Sequence, residues 1–277
     1  MIRASAFAAL AAAGLLATAA DAGGQERRWT PLPSPASRTC PEGLCQAQAL
    51  APFFRALDTR GTVRVVQFGD SHTAGRLITG ALESRLQDRF PETDLSIAPI
   101  GAVGATLNDL PGQGLPMLDA PVDLVIIAYG ANEGFDDRLD PVSYEALLRD
   151  QIARLRREAP GAALLILGAP EAMRGDGGGV CPDDPERRWS SPAMLAVVRD
   201  VQRRVAADSG VAFWDWRGRM GGACSAHRLT LDGPWGPDPL MRGDHVHFTA
   251  AGADWVGSLL FADLMAAEAR WRRRGGR

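Results

Sequence analysis

Residues 62–72 read TVRVVQFGDSH, a pattern typical of a strand followed by a turn. Its first seven residues are mostly β-branched or apolar and follow a glycine, which predicts a buried strand. The turn Gly-Asp-Ser-His comes next at 69–72, and over residues 75–90 apolar side chains recur on one helical face. A buried strand that passes through a short polar turn into a helix is the building unit of an α/β sheet.

The same alternation continues along the chain in both directions. Further strands are predicted over residues 95–100, 123–129, 163–167 and 211–214, and further helices over residues 46–57, 144–158, 194–207 and 250–270. Strands that alternate with helices of this length predict a parallel sheet with helices on both of its faces. Two long stretches rich in Gly and Pro, 169–190 and 217–243, are predicted to be irregular and to form the rim of a site.

The composition is that of one soluble globular domain, which we expect to span residues 47–277. Hydrophobic residues make up 46% of the chain and charged residues 23%, both ordinary fractions for such a domain. The formal net charge is −3, so no nucleic-acid partner is expected. The sequence carries no signal for an oligomeric state.

The N-terminal residues are predicted to be an export signal. Arg3 precedes an apolar run, and the small residues at 20–22 fit a cleavage site, so residues 1–22 are assigned as a signal peptide. An uncleaved membrane anchor is the alternative, since the run approaches spanning length. Residues 23–46 are interpreted as a flexible arm, and no later segment is expected to be apolar for long enough to span a bilayer. We therefore expect a periplasmic or secreted protein without stable membrane insertion after signal cleavage.

The four cysteines agree with export. Cys40 and Cys45 flank a short turn-like loop, and Cys181 and Cys224 lie in two Gly-rich loops that the fold could bring together. An oxidising compartment favours disulfides in these two pairs, although the sequence leaves other pairings open. A zinc site is the rival interpretation, but the cysteines and histidines lack zinc-ligand spacing.

Ser71 stands where functional groups collect in such a sheet, at the turn that follows a strand. A serine at a helix start is commonly only an N-cap. Its hydroxyl becomes a nucleophile when a base removes the proton and a third group orients that base. Asp244 and His247, three residues apart before the last helix, can supply both groups. His245 is a rival base, but as the immediate neighbour of Asp244 it projects differently.

Two further turns after predicted strands offer hydrogen-bond donors for an oxyanion. Gly104 follows the strand at 95–100, and its lack of a side chain lets a backbone N–H approach a substrate oxygen closely. Asn132 follows the strand at 123–129, and its side-chain amide is a donor. Each residue alone is an ordinary turn or cap residue.

In their order and spacing, these segments resemble the SGNH (GDSL-like) hydrolase family. The matching residues are Gly69-Asp70-Ser71, Gly104, Gly130-x-Asn132 and Asp244-x-x-His247. The resemblance implies a three-layer α/β/α fold around a five-stranded parallel sheet, the flavodoxin-like fold of the family. It also implies Ser71 as the nucleophile, His247 as the general base and Asp244 as its orienting acid. The oxyanion hole would comprise the N–H groups of Ser71 and Gly104 and the amide of Asn132. No metal or organic cofactor is implied.

Departures from the usual family pattern indicate a carbohydrate-active branch. Ser71 is followed by His72 instead of an aliphatic residue, and Asn132 by Glu133 instead of Asp. The segments Ala128–Glu133, Trp214–Trp216 and Met220–Gly222 are similar to those of bacterial secreted esterases that deacetylate peptidoglycan or polysaccharide. We therefore expect a serine esterase that removes O-acetyl groups from a glycan through an acyl-serine intermediate. A lipolytic esterase or thioesterase, an O-acetyltransferase and a non-catalytic glycan-binding domain are the alternatives.

Several roles are open for His72. It can make structural hydrogen bonds, contact substrate, or join Asp70, Asp244 and His245 as a metal ligand. The metal hypothesis would leave the serine and the asparagine without a role. Trp235, in the second Gly- and Pro-rich loop, is the candidate for a wall against which a sugar ring stacks.

Overall fold

The computed structural model describes residues 40, 43–59, 61–110, 121–231 and 238–276. The signal peptide predicted over residues 1–22 lies outside these ranges. So do most of the arm predicted over residues 23–46 and Trp235.

One six-stranded sheet lies at the centre of the domain. Its strands are β1 (Leu44–Cys45), β2 (Thr62–Gly69), β3 (Asp94–Gly101), β4 (Val122–Ala128), β5 (Ala163–Leu167) and β6 (Ala212–Trp214). Their order across the sheet is β1-β6-β5-β4-β2-β3, and all neighbours pair in parallel except β1, which is antiparallel to β6. The predicted α/β/α class is confirmed, and the five parallel strands have the flavodoxin-like order. The expected five-stranded sheet is corrected to six strands.

The sixth strand comes from the end of the predicted arm. Leu44 and Cys45 pair with β6 and are buried, and the predicted Cys40–Cys45 disulfide is present. A two-residue strand is too short to show the alternation by which strands are recognised in a sequence.

Helices cover both faces of the sheet. They are α1 (Ala51–Thr59), α2 (Ser71–Ala74), α3 (Leu77–Arg89), α4 (Ala131–Phe135), α5 (Pro141–Glu158), α6 (Ala193–Ser209), α7 (Trp216–Met220), α8 (Ser225–Leu231) and α9 (Ala250–Arg273). Side chains of β2 alternate between the layers: Val63 and Val65 pack with α1, α3 and α9, whereas Val66 and Phe68 pack on the face that α5 and α6 cover. The stretch 217–243, predicted to be irregular, contains most of α7 and all of α8.

The predicted Cys181–Cys224 disulfide is also present. It joins the long loop after β5 to the start of α8, 43 residues further along the chain. Both loops of the predicted rim are thereby tied together covalently.

By length and composition α9 could span a membrane, which corrects the expectation that no segment after the N-terminus reaches spanning length. Its apolar window is 56% buried inside the domain, and the helix packs along α3. Burial of this kind is typical of a core helix, and we interpret α9 as one.

The turns after β2, β3 and β4 leave the sheet at the same level. Gly69 is in register with Gly101 on β3 and with Ala128 on β4. A Cβ atom at Gly69 would lie 2.7 Å from the carbonyl oxygen of Ala128, so only glycine lets this turn sit against its neighbour. The strand order reverses between β2 and β4, and ligands of open α/β sheets bind at that switch point.

Candidate active site

Ser71, His247 and Asp244 form a continuous hydrogen-bonded row above the sheet. The Oγ atom of Ser71, the first residue of α2, lies 2.9 Å from Nε2 of His247. On the other side of the ring, Nδ1 of His247 lies 2.8 Å from Oδ2 of Asp244. The structure therefore brings together the three residues predicted as nucleophile, base and orienting acid, although Ser71 and His247 lie 176 positions apart in the chain.

A tight loop explains the three-residue spacing between the acid and the base. Oδ1 of Asp244 accepts hydrogen bonds from the backbone N–H groups of Val246 and His247, both at 2.9 Å, which leaves Oδ2 for the imidazole. His245 adopts a left-handed conformation (φ 58°) to make the turn. Burial raises the pKa of Asp244, but these hydrogen bonds and the His247 charge outweigh burial and hold that pKa below its usual value. The carboxylate is therefore ionised at neutral pH.

His245, the rival base, lies in a different environment. Its Nε2 is 2.9 Å from Nδ1 of His227, and its Nδ1 faces the carbonyl oxygen of Gly243. The ring stacks on Trp189 and is buried. Burial lowers the pKa of His245, and the neighbouring His227 charge contributes to the decrease. Both ring nitrogens are thus occupied by partners other than Ser71.

The two predicted oxyanion residues lie in neighbouring segments that are joined by a hydrogen bond. Gly104 has a φ of 76°, a left-handed conformation that favours glycine. Nδ2 of Asn132, in α4, donates to the carbonyl oxygen of Ala105 at 2.7 Å, which uses one of its two N–H groups. Val103, next to Gly104, lines the same cleft as Ser71.

Glu133 holds the segment that follows Gly104 in place through a hydrogen bond. Its Oε1 accepts a 2.7 Å hydrogen bond from the N–H of Leu107, and the side chain is buried. Burial raises the pKa of Glu133, although the Leu107 hydrogen bond opposes the shift. The carboxyl group that replaces the usual Asp therefore anchors the loop, as expected for a residue that keeps the acid.

His72 joins the serine turn to the histidine loop. Its Nδ1 lies 3.0 Å from Oδ1 of Asp70, and its Nε2 lies 3.0 Å from the carbonyl oxygen of Val246. The ring is buried and stacks 5.5 Å from the ring of His247. Burial lowers the pKa of His72, but the hydrogen bond and the charge of Asp70 outweigh it, so the pKa is raised. Of the roles left open by the sequence, this geometry fits structural hydrogen bonding.

Replacing His72 by Gln should reduce stability most at acidic pH. Because the native-state pKa is raised, the His72 contribution is complete below its unfolded pKa of about 6.5 and is lost as pH rises through the native-state pKa. Urea unfolding should show a wild-type advantage of about 1 to 3 kcal/mol near pH 6, since one charged hydrogen bond is removed. The advantage should shrink toward pH 9, and an advantage that grows with pH would contradict this account.

A cleft of about 430 Å³ opens beside the serine hydroxyl. Ser71 and His247 line it together with apolar side chains, among them Leu77 and Val103, which are well exposed. Arg242 lines the cleft from the loop that carries His247. A small acyl group and part of a larger alcohol can thus approach the hydroxyl from solvent.

The metal hypothesis gains no support from the geometry. Within the ranges that the structure describes, no group of three or more His, Cys, Asp or Glu residues could hold a metal ion. Asp70 and His72 bond to each other, whereas His245 bonds to His227.

The sequence interpretation missed two features of this site. Trp189 and His227 enclose His245, yet they come from distant loops and no local pattern links them. Arg242 was also missed, although its position two residues before Asp244 could have drawn attention to it.

Solved structures share this fold. A peptidoglycan O-acetylesterase is 20% identical, with a TM-score of 0.67, over 82% of this chain and 99% of that chain. A two-domain esterase active on acetylated mannans is 16% identical, with a TM-score of 0.56, over 82% of this chain and 56% of that chain. An acetyl xylan esterase from Geobacillus stearothermophilus is 19% identical, with a TM-score of 0.51, over 74% of this chain and 94% of that chain. At these sequence identities, the similarity shows a shared fold.

Sequence comparison identifies the family. No curated protein matches the chain. The family model described as GDSL-like Lipase/Acylhydrolase matches residues 68–255, more than half of the chain, and this range includes every residue of the hydrogen-bonded row. The protein therefore belongs to the GDSL-like lipase/acylhydrolase family and is a serine ester hydrolase.

Proposed function

We propose that the protein removes O-acetyl groups from a carbohydrate polymer, with Ser71 as nucleophile, His247 as general base and Asp244 as orienting acid. The observation that carries the assignment is the 2.9 Å contact between Ser71 Oγ and His247 Nε2 at the mouth of an open cleft. A serine hydroxyl within hydrogen-bond reach of an oriented imidazole is the arrangement that nucleophilic catalysis requires.

In the acylation step, Ser71 Oγ attacks the carbonyl carbon of the acetyl ester while Nε2 of His247 takes the hydroxyl proton. The negative charge of Asp244, 2.8 Å from Nδ1, stabilises the imidazolium that forms. The tetrahedral intermediate then collapses, the bond between the carbonyl carbon and the sugar oxygen breaks, and His247 returns the proton to that oxygen. The sugar hydroxyl leaves, and acetyl-Ser71 remains.

In the deacylation step, water replaces the sugar. His247 takes a proton from the water as its oxygen attacks the acetyl-Ser71 carbonyl carbon. Collapse of the second intermediate breaks the bond to Ser71 Oγ, which recovers the proton from His247, and acetate is released. No metal or organic cofactor takes part in this scheme.

The oxyanion of both intermediates would accept hydrogen bonds from the backbone N–H groups of Ser71 and Gly104 and from the Asn132 amide. N–H groups in the first turn of a helix lack intrahelical acceptors, which leaves that of Ser71 available. The hydrogen bond from Asn132 to Ala105 leaves its second amide N–H for the substrate and fixes the side chain in place.

Replacing Asn132 by Ala should lower kcat about 100-fold to 1000-fold, because one preorganised oxyanion donor is lost. KM for a small acetyl ester should change much less, since the donor acts mainly on the charge of the transition state. Steady-state kinetics with 4-nitrophenyl acetate measure both constants. A decrease in kcat of less than threefold would remove Asn132 from the oxyanion hole.

An acetylated glycan is the favoured substrate for two reasons. Three proteins of the same fold are described as acting on acetylated carbohydrate: peptidoglycan, mannan and xylan. The segments Ala128–Glu133, Trp214–Trp216 and Met220–Gly222 also resemble those of carbohydrate deacetylases. Export fits such a polymer, and the two disulfides support a periplasmic or secreted location. We retain residues 1–22 as a signal peptide in this proposal.

Acetate release tests the proposed function. The mature protein is incubated with O-acetylated peptidoglycan, with acetylated xylan and with 4-nitrophenyl esters of increasing acyl length. The proposal expects acetate from at least one glycan and a preference for acetyl over long-chain nitrophenyl esters. A preference for long acyl chains with no release from glycans would favour the lipolytic or thioesterase alternative. Acetylated product formed from a supplied glycan acceptor would favour the acetyltransferase alternative.

A further inference from the structure

Arg242 supplies a permanent positive charge to the cleft beside Ser71. The side chain is exposed, and within the described ranges its guanidinium makes no hydrogen bond or ion pair. No described Asp or Glu lines the cleft. Some other arginines near the surface are paired with a carboxylate, such as Arg85 with Asp254 and Arg174 with Asp137. The nearby Asp244 carboxylate is engaged by His247 and by two backbone N–H groups. Among the described residues, the Arg242 guanidinium is therefore a donor group without a partner at the cleft.

The loop places this charge on one particular side of the reacting ester. The backbone N–H of Arg242 donates to the carbonyl oxygen of His247 at 2.8 Å, so the two residues face each other across the loop. In ester cleavage the general base returns its proton to the departing oxygen. The alcohol part of the substrate must therefore lie on the His247 side, which is the side that Arg242 borders. The carbonyl oxygen of the ester would then lie toward Gly104 and Asn132, the proposed oxyanion donors.

We propose that Arg242 binds a carboxylate carried by the sugar part of the substrate, so that the enzyme prefers anionic acetylated glycans over neutral ones. This inference rests on the proposed glycan deacetylation and adds the substrate class. A guanidinium forms paired, charge-assisted hydrogen bonds to a carboxylate, whereas a neutral sugar offers only hydroxyl groups. The carboxylate can belong to a uronic acid residue or to the acid-bearing amino sugar of peptidoglycan.

The test compares substrates within each variant. Acetate release is measured from an O-acetylated polyuronate, from O-acetylated peptidoglycan and from neutral acetylated glucomannan. In Arg242→Gln, the ratio of kcat/KM for a carboxylate-bearing glycan to that for glucomannan should fall about threefold to tenfold, as expected for loss of one partly exposed charged contact. Arg242→Lys should retain part of the preference, because it keeps the charge but loses the planar fork.

Arg157→Gln serves as the matched control. It removes one exposed positive charge from the last turn of α5, which ends just before β5 begins, whereas the active site lies at the ends of the strands. Its substrate ratio should equal that of the wild type. Raising NaCl from about 20 mM to about 300 mM should reduce the wild-type preference but not the residual preference of Arg242→Gln, because salt screens exposed charges.

The outcomes separate the two proposals. If the wild type releases acetate from glycans but the ratio is the same in Arg242→Gln, the role of Arg242 is wrong and the deacetylase function stands. If the wild type hydrolyses 4-nitrophenyl acetate but releases acetate from none of the glycans, both proposals are wrong. A ratio that falls for only one of the two anionic glycans identifies which carboxylate Arg242 binds.

Discussion

Replacing Ser71 by Ala should reduce kcat for 4-nitrophenyl acetate by about 10⁴-fold to 10⁶-fold while leaving the fold intact. No other side chain among the described residues can take over the attack, because Ser71 Oγ is the hydroxyl that His247 Nε2 contacts. The side chain is only partly buried, so its loss should barely change the free energy of unfolding. Active-site titration and steady-state kinetics measure the first effect, and urea unfolding measures the second.

Ser258→Ala is the matched control for this variant. Ser258 lies on α9, and its hydroxyl donates to the carbonyl oxygen of Trp255 on the same helix. This control should keep wild-type activity. Undiminished hydrolysis by Ser71→Ala would overturn the assignment of the nucleophile, whereas joint loss of activity and cooperative unfolding would indicate a folding defect.

Replacing His247 by Ala should be nearly as severe, because without a base the hydroxyl keeps its proton. The double variant with Ser71→Ala should be no worse than either single variant, since residues that act as one unit are strongly non-additive. His245→Asn tests the rival base, and Asn tolerates the left-handed conformation at that position. We expect this variant to lose less than about tenfold in kcat, a small effect typical of a residue that does not act in the chemistry.

The opposite order of kcat losses would assign the role of general base to His245 instead of His247. If His245→Asn lost as much activity as His247→Ala, the hydrogen-bonded row described here would not be the reacting one. Ser71→Ala, His247→Ala and His245→Asn should each be measured over pH 5 to 9. This guards against a shifted pH optimum, because a variant that is inactive at one pH can be active at another.

The α/β class and the loops of the site can be predicted from local sequence patterns. Strand and helix periods are local properties, so β2 and β5 were predicted within a residue of their observed bounds. Functional groups of a parallel sheet collect at its carboxyl edge, so the turns that carry Ser71, Gly104 and Asn132 could be selected without coordinates. The pairing of Cys181 with Cys224 was favoured by the sequence, which left other pairings open, and the structure contains it.

Which side chains contact each other depends on the tertiary structure and could not be predicted from local patterns. His245 and His247 both lie within three residues of Asp244, and the left-handed turn at His245 sends one ring to His227 and the other to Ser71. The same holds for His72, whose carbonyl partner on Val246 lies 174 residues away. The length and composition of α9 are compatible with a membrane span, and its burial against α3 is visible only in the fold. Side-chain direction depends on backbone torsion angles and on packing from distant elements, and neither is encoded in a local pattern.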